Sequence, residues 1–299
     1  MIKILLTGKN GQVGWELQRS LTGLGSVFAI GSEEMDLADA DAIRRTVRSI
    51  RPDIIINPAA YTAVDKAESD VELATAVNAV APTILAEEAK QLGSVLVHYS
   101  TDYVFDGSKS SPYIEDDVQN PQSVYGKTKF AGEQAIRASG CRHLILRTSW
   151  VYGVHGGNFV KTVLRLAKER DELRIVADQF GAPTWARDIA QATVHALIAW
   201  EMSDWNDELG GTYHLTAGGR TNWHQYAEEI VRLARQYDAA LEDKALVIKP
   251  IATHEYPVPA KRPANSMLAN DKIRDTFGIV MPEWQDSLAA NIRLLYQQA

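Results

Sequence analysis

The chain opens on a short apolar run, "IKILLTG", that ends in glycine and passes into "QVGWELQRSLTGLG", whose apolar positions recur at helical spacing. Strand, glycine turn and helix are the expected order. "SVFAIG" predicts a second strand, followed by a helix over "DADAIRRTVRSIR". "PDIIINPAA" predicts a third strand with no polar interruption. Such runs fit parallel strands covered on both faces. "DVELATAVNAVAPTILAEEAKQLG" predicts one long helix, and "SVLVHYSTDYVFDG" a fourth strand that ends near Ser100 to Tyr103. "SVYGKTKFAGEQAIRA" reads as a further helix, and "CRHLILRTSWVYG" as a fifth strand. Strands alternating with helices in this way predict an α/β fold, a Rossmann-type doubly wound parallel sheet. Ligands of such sheets bind beyond the carboxyl ends of the strands.

The alternation degrades after about residue 150. Amphipathic helices are expected over "GGNFVKTVLRLAKERDE", "ARDIAQATVHALIAW" and "NWHQYAEEIVRLARQY", with short strands in "LRIVADQFGAPT" and "GTYHLTAGG". "KPIATHEYPVPAKRPANSMLAN" holds four prolines and is expected to be an ordered lid or binding loop. The expected organisation is a dinucleotide-binding domain over 1–149 with parts of about 175–205. A smaller C-terminal substrate-binding domain is expected over about 150–174 and 206–299.

Candidate chemistry clusters at the predicted strand ends. Gly8, Gly11 and Gly14 form G-x-x-G-x-x-G between the first strand and its helix. Glycines there permit a tight turn and close approach of a pyrophosphate, whose charge then lies at the helix N-terminus. The second strand is followed by Glu33 and Glu34 with no arginine, which leaves the choice between NAD and NADP open. Asp36 either meets an adenine edge or simply precedes a helix that Asp39 caps. Small residues after the third strand, through Ala59-Ala60-Tyr61-Thr62, leave room for a flat cofactor. Tyr125 and Lys129 lie four apart and share one helix face. A neighbouring ammonium is expected to lower the phenol from its usual value of about 10, giving an acid/base near neutral pH.

Composition narrows the classes. The 299 residues suffice for one large domain or a main domain with a smaller partner, and 45% hydrophobic with 23% charged is that of an ordinary soluble protein. A net charge of −7 without a Lys/Arg block gives no footprint for nucleic acid or an anionic membrane. The single Cys141 cannot form an internal disulfide, points to a reducing compartment and is expected to be packing. The N-terminal apolar run is too short for a signal peptide, and no apolar run reaches the roughly 18 residues of a membrane span. A cytoplasmic location is expected.

The glycine turn, Thr101 at the end of the fourth strand, and Tyr125 with Lys129 together resemble the extended short-chain dehydrogenase/reductase superfamily. Over essentially the whole chain, "GQVGWELQ", "AAYTAVDKAE", "HYSTDYVFDG", "YGKTKFAGE", "RTSWVYG", "GNFVKTVLRLA", "DQFGAPT" and "KRPANS" resemble the dTDP-4-dehydrorhamnose reductase family. The resemblance implies reduction of the C4 ketone of a dTDP-linked 4-dehydro sugar, with NADPH or NADH as hydride donor. It implies catalytic roles for Thr101, Tyr125 and Lys129. Gly11, Gln12 and Val13 would meet the pyrophosphate, Asp36 and Leu37 the adenosine half, and Ala60, Tyr61 and Thr62 the ribose side, with Tyr99 also near the cofactor. Asp102 and Trp150 would face the sugar, and Arg262 the diphosphate, with Asn158 and Asn265 as weaker candidates. His98, His155 and His214 are read as structural or surface residues. Some family members dimerise through a divalent cation held by carboxylates; Glu16 is the candidate here. Arg187 in "TWARDIA" sits poorly beside Mg²⁺, so no metal is expected. A monomer or homodimer is expected. The competing readings are a nucleotide-sugar epimerase or dehydratase on the same fold, and a non-catalytic dinucleotide-binding subunit. Tyr103, where related dehydratases carry Glu, argues against elimination.

Overall fold

The computed structural model of the protein describes residues 1–297. Its centre is a six-stranded sheet built from β1 (Lys3–Leu6), β2 (Ser26–Ala29), β3 (Ile54–Asn57), β4 (Val95–Thr101), β5 (Arg142–Thr148) and an edge strand, Gly211–His214. The spatial order is the edge strand, β5, β4, β3, β1, β2, and every pairing is parallel. Uninterrupted apolar runs form these strands because both faces are covered. Ile4, Leu6, Ile56, Val97, Tyr99 and Leu146 pack under the helices Gln12–Ser20 and Ala186–Met202. Leu5, Ile55, Leu96 and Ile145 face the helices Ala40–Ile50, Ala81–Leu92 and Val124–Ser139.

A second core gathers Tyr152, Val160, Trp185, Tyr226, Ile230, Trp284 and Leu288. It is made by the helices Phe159–Glu169, Trp223–Ala234 and Trp284–Gln297 over a parallel pair of strands, Glu172–Val176 and Val247–Ile251. Among the described residues, no helix is long and apolar enough to cross a membrane.

Three expectations change. The strand Gly211–His214 pairs with β5, and Ile273 and Phe277 join the core beneath the large sheet. Parts of 206–299 therefore pack with the first module, because Tyr213 and Leu215 carry the apolar alternation of β5's own face. The single long helix expected after β3 is broken. A helix at Val71–Thr75 passes through a π-helical turn, Ala76–Val80, into Ala81–Leu92. Finally, the proline-rich segment begins in a strand, with Pro250 opposite Ile175 in a two-stranded pair, where an edge tolerates a missing N–H.

Candidate functional site

The glycine turn is shaped by exclusion. Gly8 has φ of 61°, in the left-handed region, and a Cβ there would lie 2.9 Å from that of Ala59 after β3. A Cβ on Gly14 would lie 2.1 Å from the Gly8 carbonyl oxygen. Gly11 caps the helix Gln12–Ser20 in an extended conformation, and no side chain takes up the N–H groups of its first turn. Those of Gln12, Val13 and Gly14 form an anion site of the kind a dinucleotide pyrophosphate fills. The loop 153–158 closes against this turn. Asn158 donates to Gln12 Oε1 at 3.0 Å and to the Gly153 carbonyl at 2.8 Å, while accepting from Lys161 N to cap the next helix. Asn158 thus ties the loop 153–158 to the glycine turn. His155 stacks on Trp15 and lies 3.0 Å from the Asn10 carbonyl.

Around the expected adenosine side, Glu34 pairs with Lys9 and accepts from Gly31 N. Asp36 is exposed and accepts from Ala38 N, and Asp39 caps the helix Ala40–Ile50. Leu37 is buried with Met35 and Ile43, so its side chain faces the core, and only its backbone is available to a ligand. After β3, Tyr61 is gripped at both its N–H and its carbonyl by the Asn78 side chain, at 2.8 and 3.1 Å. Asn78 lies in the π-helical turn, and that irregularity aims it at the loop. Ala60 and Tyr61 are partly buried and Thr62 exposed.

The helix Val124–Ser139 starts with Ser123 accepting from Gly126 N and ends at Gly140 with φ of 66°. Gly126 lets it approach the turn after β4: a Cβ there would be 2.3 Å from the Tyr103 carbonyl oxygen. Tyr125 rests edge-on against Tyr103, with centroids 5.4 Å apart. Burial raises the Tyr125 phenol well above its usual value, and the Thr101 hydroxyl only partly opposes this. The direction is opposite to the expected one because Lys129 turns inward. Its Nζ donates to the Tyr99 carbonyl at 2.6 Å and lies 3.1 Å from His98 Nε2. Burial brings Lys129, 2% exposed, down to about 8, with Glu133 pulling the other way. Tyr99's side chain points to the opposite sheet face, where its hydroxyl meets Thr193 at 2.7 Å. Only its carbonyl reaches the site.

Beneath this helix lies a fully buried ion pair. Arg147 on β5 binds Glu133 through two N–H···O bonds of 2.9 and 2.7 Å. Burial pushes Glu133 up, but the guanidinium outweighs it and holds the carboxyl below the usual range.

On the substrate side, Thr101 donates to Asp102 Oδ1 at 3.1 Å. Asp102 is 3% exposed, and its Oδ2 has no hydrogen-bond partner among the described residues. Burial pushes it up to about 6, against hydrogen bonds from Ser266 and Thr101. Trp150 adopts φ of 49°, a left-handed backbone uncommon for an aromatic residue, and stacks at 3.6 Å on Trp223. Gly181 lies under its ring: a Cβ there would come within 2.6 Å. Arg262 binds Asp65 at 2.6 Å and reaches the Tyr103 hydroxyl at 3.4 Å, tying the proline-rich segment to the loop after β3. It also lines a cavity of about 370 Å³ together with Phe159, Leu173, Arg174, Trp223 and Tyr256. Asn265 instead donates to the Lys109 and Ser111 carbonyls and holds the loop itself.

Glu16 is buried and pairs with Arg187 at 3.5 Å. Among the described residues, no group of three His, Cys, Asp or Glu is arranged to hold a metal ion. Sequence reasoning read His98 as structural or surface and passed over Asn78, Ser266 and the Glu133–Arg147 pair. His98 had a usable signal: it shares strand parity with Leu96, on the sheet face covered by the Lys129 helix.

The family described as RmlD substrate binding domain matches residues 2–297. The chain is 49% identical over 298 residues to the dTDP-4-dehydrorhamnose reductase of Burkholderia thailandensis, covering 99% of this chain and all of that one. It is 47% identical over 289 residues to the Escherichia coli K12 protein of the same name, with 95% of each covered. Among solved structures, a dTDP-4-dehydrorhamnose reductase from Clostridium acetobutylicum superposes with a TM-score of 0.89 at 40% identity, covering 98% of this chain and 99% of that one. One from Bacillus anthracis, solved in complex with NADP, gives 0.88 at 34% identity with the same coverage.

Proposed function

The chain belongs to the RmlD family of dTDP-4-dehydrorhamnose reductases, and from that premise we propose how its residues carry out the reaction. The enzyme is a nicotinamide-dependent oxidoreductase acting in dTDP-rhamnose synthesis. Its substrate is the C4 ketone of dTDP-4-dehydro-L-rhamnose, which becomes the C4 alcohol of dTDP-L-rhamnose.

The observation that carries the assignment of roles is the meeting of Thr101 and Tyr125 at the carboxyl end of β4, with Lys129 buried behind them. Bound at the glycine turn, the reduced nicotinamide supplies the hydride. Tyr125 holds the proton that goes to the ketone oxygen. Reduction needs the neutral phenol, and burial keeps it neutral through the physiological range. Rotated away from Asp102, the Thr101 hydroxyl would donate to the same oxygen and stabilise the charge that develops there. Lys129, buried behind the phenol, would place positive charge where it stabilises the phenolate left once the proton has gone to the ketone oxygen. Trp150, its ring fixed between Gly181 and Trp223, would meet the sugar along its edge rather than with a face. The nucleotide half fits the aromatic-lined cavity, where Arg174 and Arg262 can meet phosphate oxygens. The Gly8–Gly14 contact and the uncapped helix N-terminus fit a dinucleotide pyrophosphate.

Loss of NADPH absorbance with 4-dehydrorhamnose linked to dTDP, against the same sugar linked to UDP, tests this reading. Stoichiometric oxidation with the dTDP sugar is expected. Conversion without net NADPH consumption would instead identify an epimerase that recycles its own NAD.

A further inference from the structure

Behind Lys129 runs a buried polar chain that the reaction as derived does not use. Thr7 Oγ1 lies 2.6 Å from Asn57 Oδ1, Asn57 Nδ2 lies 3.1 Å from His98 Nδ1, and His98 Nε2 lies 3.1 Å from Lys129 Nζ. All four side chains are buried, with His98 1% exposed and Asn57 fully enclosed. We propose that His98 is a positioning residue that holds the Lys129 amine in both of its charge states by exchanging tautomer. This rests on the catalytic reading of Lys129 given above.

With Lys129 charged, its ammonium donates to the Tyr99 carbonyl and to His98 Nε2. His98 then carries its proton on Nδ1 and donates to the Asn57 carbonyl oxygen, whose amide N–H donates to Thr7. With Lys129 neutral, His98 Nε2–H donates to the amine lone pair. The Asn57 amide turns over to donate to Nδ1, and the Thr7 hydroxyl donates to Asn57 Oδ1. The observed orientation of Asn57 belongs to this second arrangement. Passing from the first to the second releases one proton: the ammonium proton goes to Nε2 and the Nδ1 proton to solvent. An imidazole can serve both arrangements because each ring nitrogen can donate or accept.

The surroundings favour a neutral ring. Burial and the Lys129 charge both hold His98 well below its usual value. The charged groups facing the pair are few. Glu133 raises Lys129 from its own helix and is itself claimed by Arg147 of β5. Tyr125 lies on the same helix, and β3 contributes only the uncharged Asn57. At a lysine value near 8, both arrangements are populated in the working range.

Imidazole ¹⁵N chemical shifts of histidine-labelled protein, assigned with His98→Leu, test the proposal without recourse to turnover. The expected result is a ring that stays neutral from about pH 5.5 to about 9.5, a window that brackets the ordinary histidine value of about 6.5 and the lysine value of about 8. Its N–H should move from Nδ1 to Nε2 as Lys129 loses its proton. Protonation of His98 near its ordinary value of about 6.5, or one tautomer throughout, would overturn it. Kinetics give a second readout. In His98→Leu the alkaline limb of kcat/KM is expected to move down by about one pH unit, with His98→Gln restoring it, because the amide can donate or accept. An equal loss at every pH would mark a merely structural residue and also overturn the proposal. Wild-type turnover in Tyr125→Phe would instead sink the catalytic reading while leaving the tautomer result intact.

Discussion

The two cores of the molecule solve the same problem with different materials. The sheet core is mostly aliphatic, with ionic groups matched beneath the helix Val124–Ser139, as in the bidentate Arg147–Glu133 pair. The C-terminal core is aromatic, with Trp150, Trp223, Phe159 and Tyr226 stacked or tilted on one another. Several polar tips there, including the hydroxyls of Tyr152 and Tyr226 and the indole N–H groups of Trp185 and Trp284, lack hydrogen-bond partners among the described residues. The contrast teaches where specificity resides. The first core anchors the helix Val124–Ser139 through a buried ion pair, while the second lines a cavity with aromatic rings.

The largest expected effect tests the first core. Glu133→Gln leaves the Arg147 guanidinium buried without its charge partner and should lower unfolding free energy by about 3–5 kcal/mol in urea titrations. Tyr125→Phe should leave stability nearly unchanged and slow kcat by about 10²-fold or more, as measured by NADPH oxidation. Next comes Asp102, whose carboxyl rises to about 6 on folding. Its folded state binds more protons than the unfolded one between the usual carboxylate value and 6. Stability from this group is therefore present at low pH and lost as pH climbs through that window. Asp102→Asn should raise neutral-pH stability by up to about 3 kcal/mol and flatten the profile below pH 6, at the expense of substrate KM. The smallest effect is expected in the aromatic core: Tyr226→Phe should change stability by less than about 1 kcal/mol. If Tyr226→Phe proved as damaging as Glu133→Gln, the contrast between the cores would fail.

The alternating parallel fold and the shared helix face of Tyr125 and Lys129 were legible because period and spacing act locally: "IIIN" and "LVHYST" read as covered strands, and positions four apart on a helix share a face. What remained hidden depends on partners distant in sequence. Strand parity, by contrast a local signal that was left unused, sends the Tyr99 ring away from the site and the His98 ring into it. The inward turn of Lys129 needs the Tyr99 carbonyl 30 residues away. Arg262, expected to meet a diphosphate, is held by Asp65, 197 residues earlier. The π-helical turn that aims Asn78 at Tyr61 leaves no trace in "ATAVNAVAP", which reads as unbroken helix.

Asn158 deserves its own consequence. One side chain both starts the helix Phe159–Glu169 and grips Gln12 at the mouth of the glycine turn. That helix also contributes Phe159 to the aromatic cavity. Asn158→Ala is therefore expected to loosen the start of that helix and the mouth of the glycine turn together, through a single side chain.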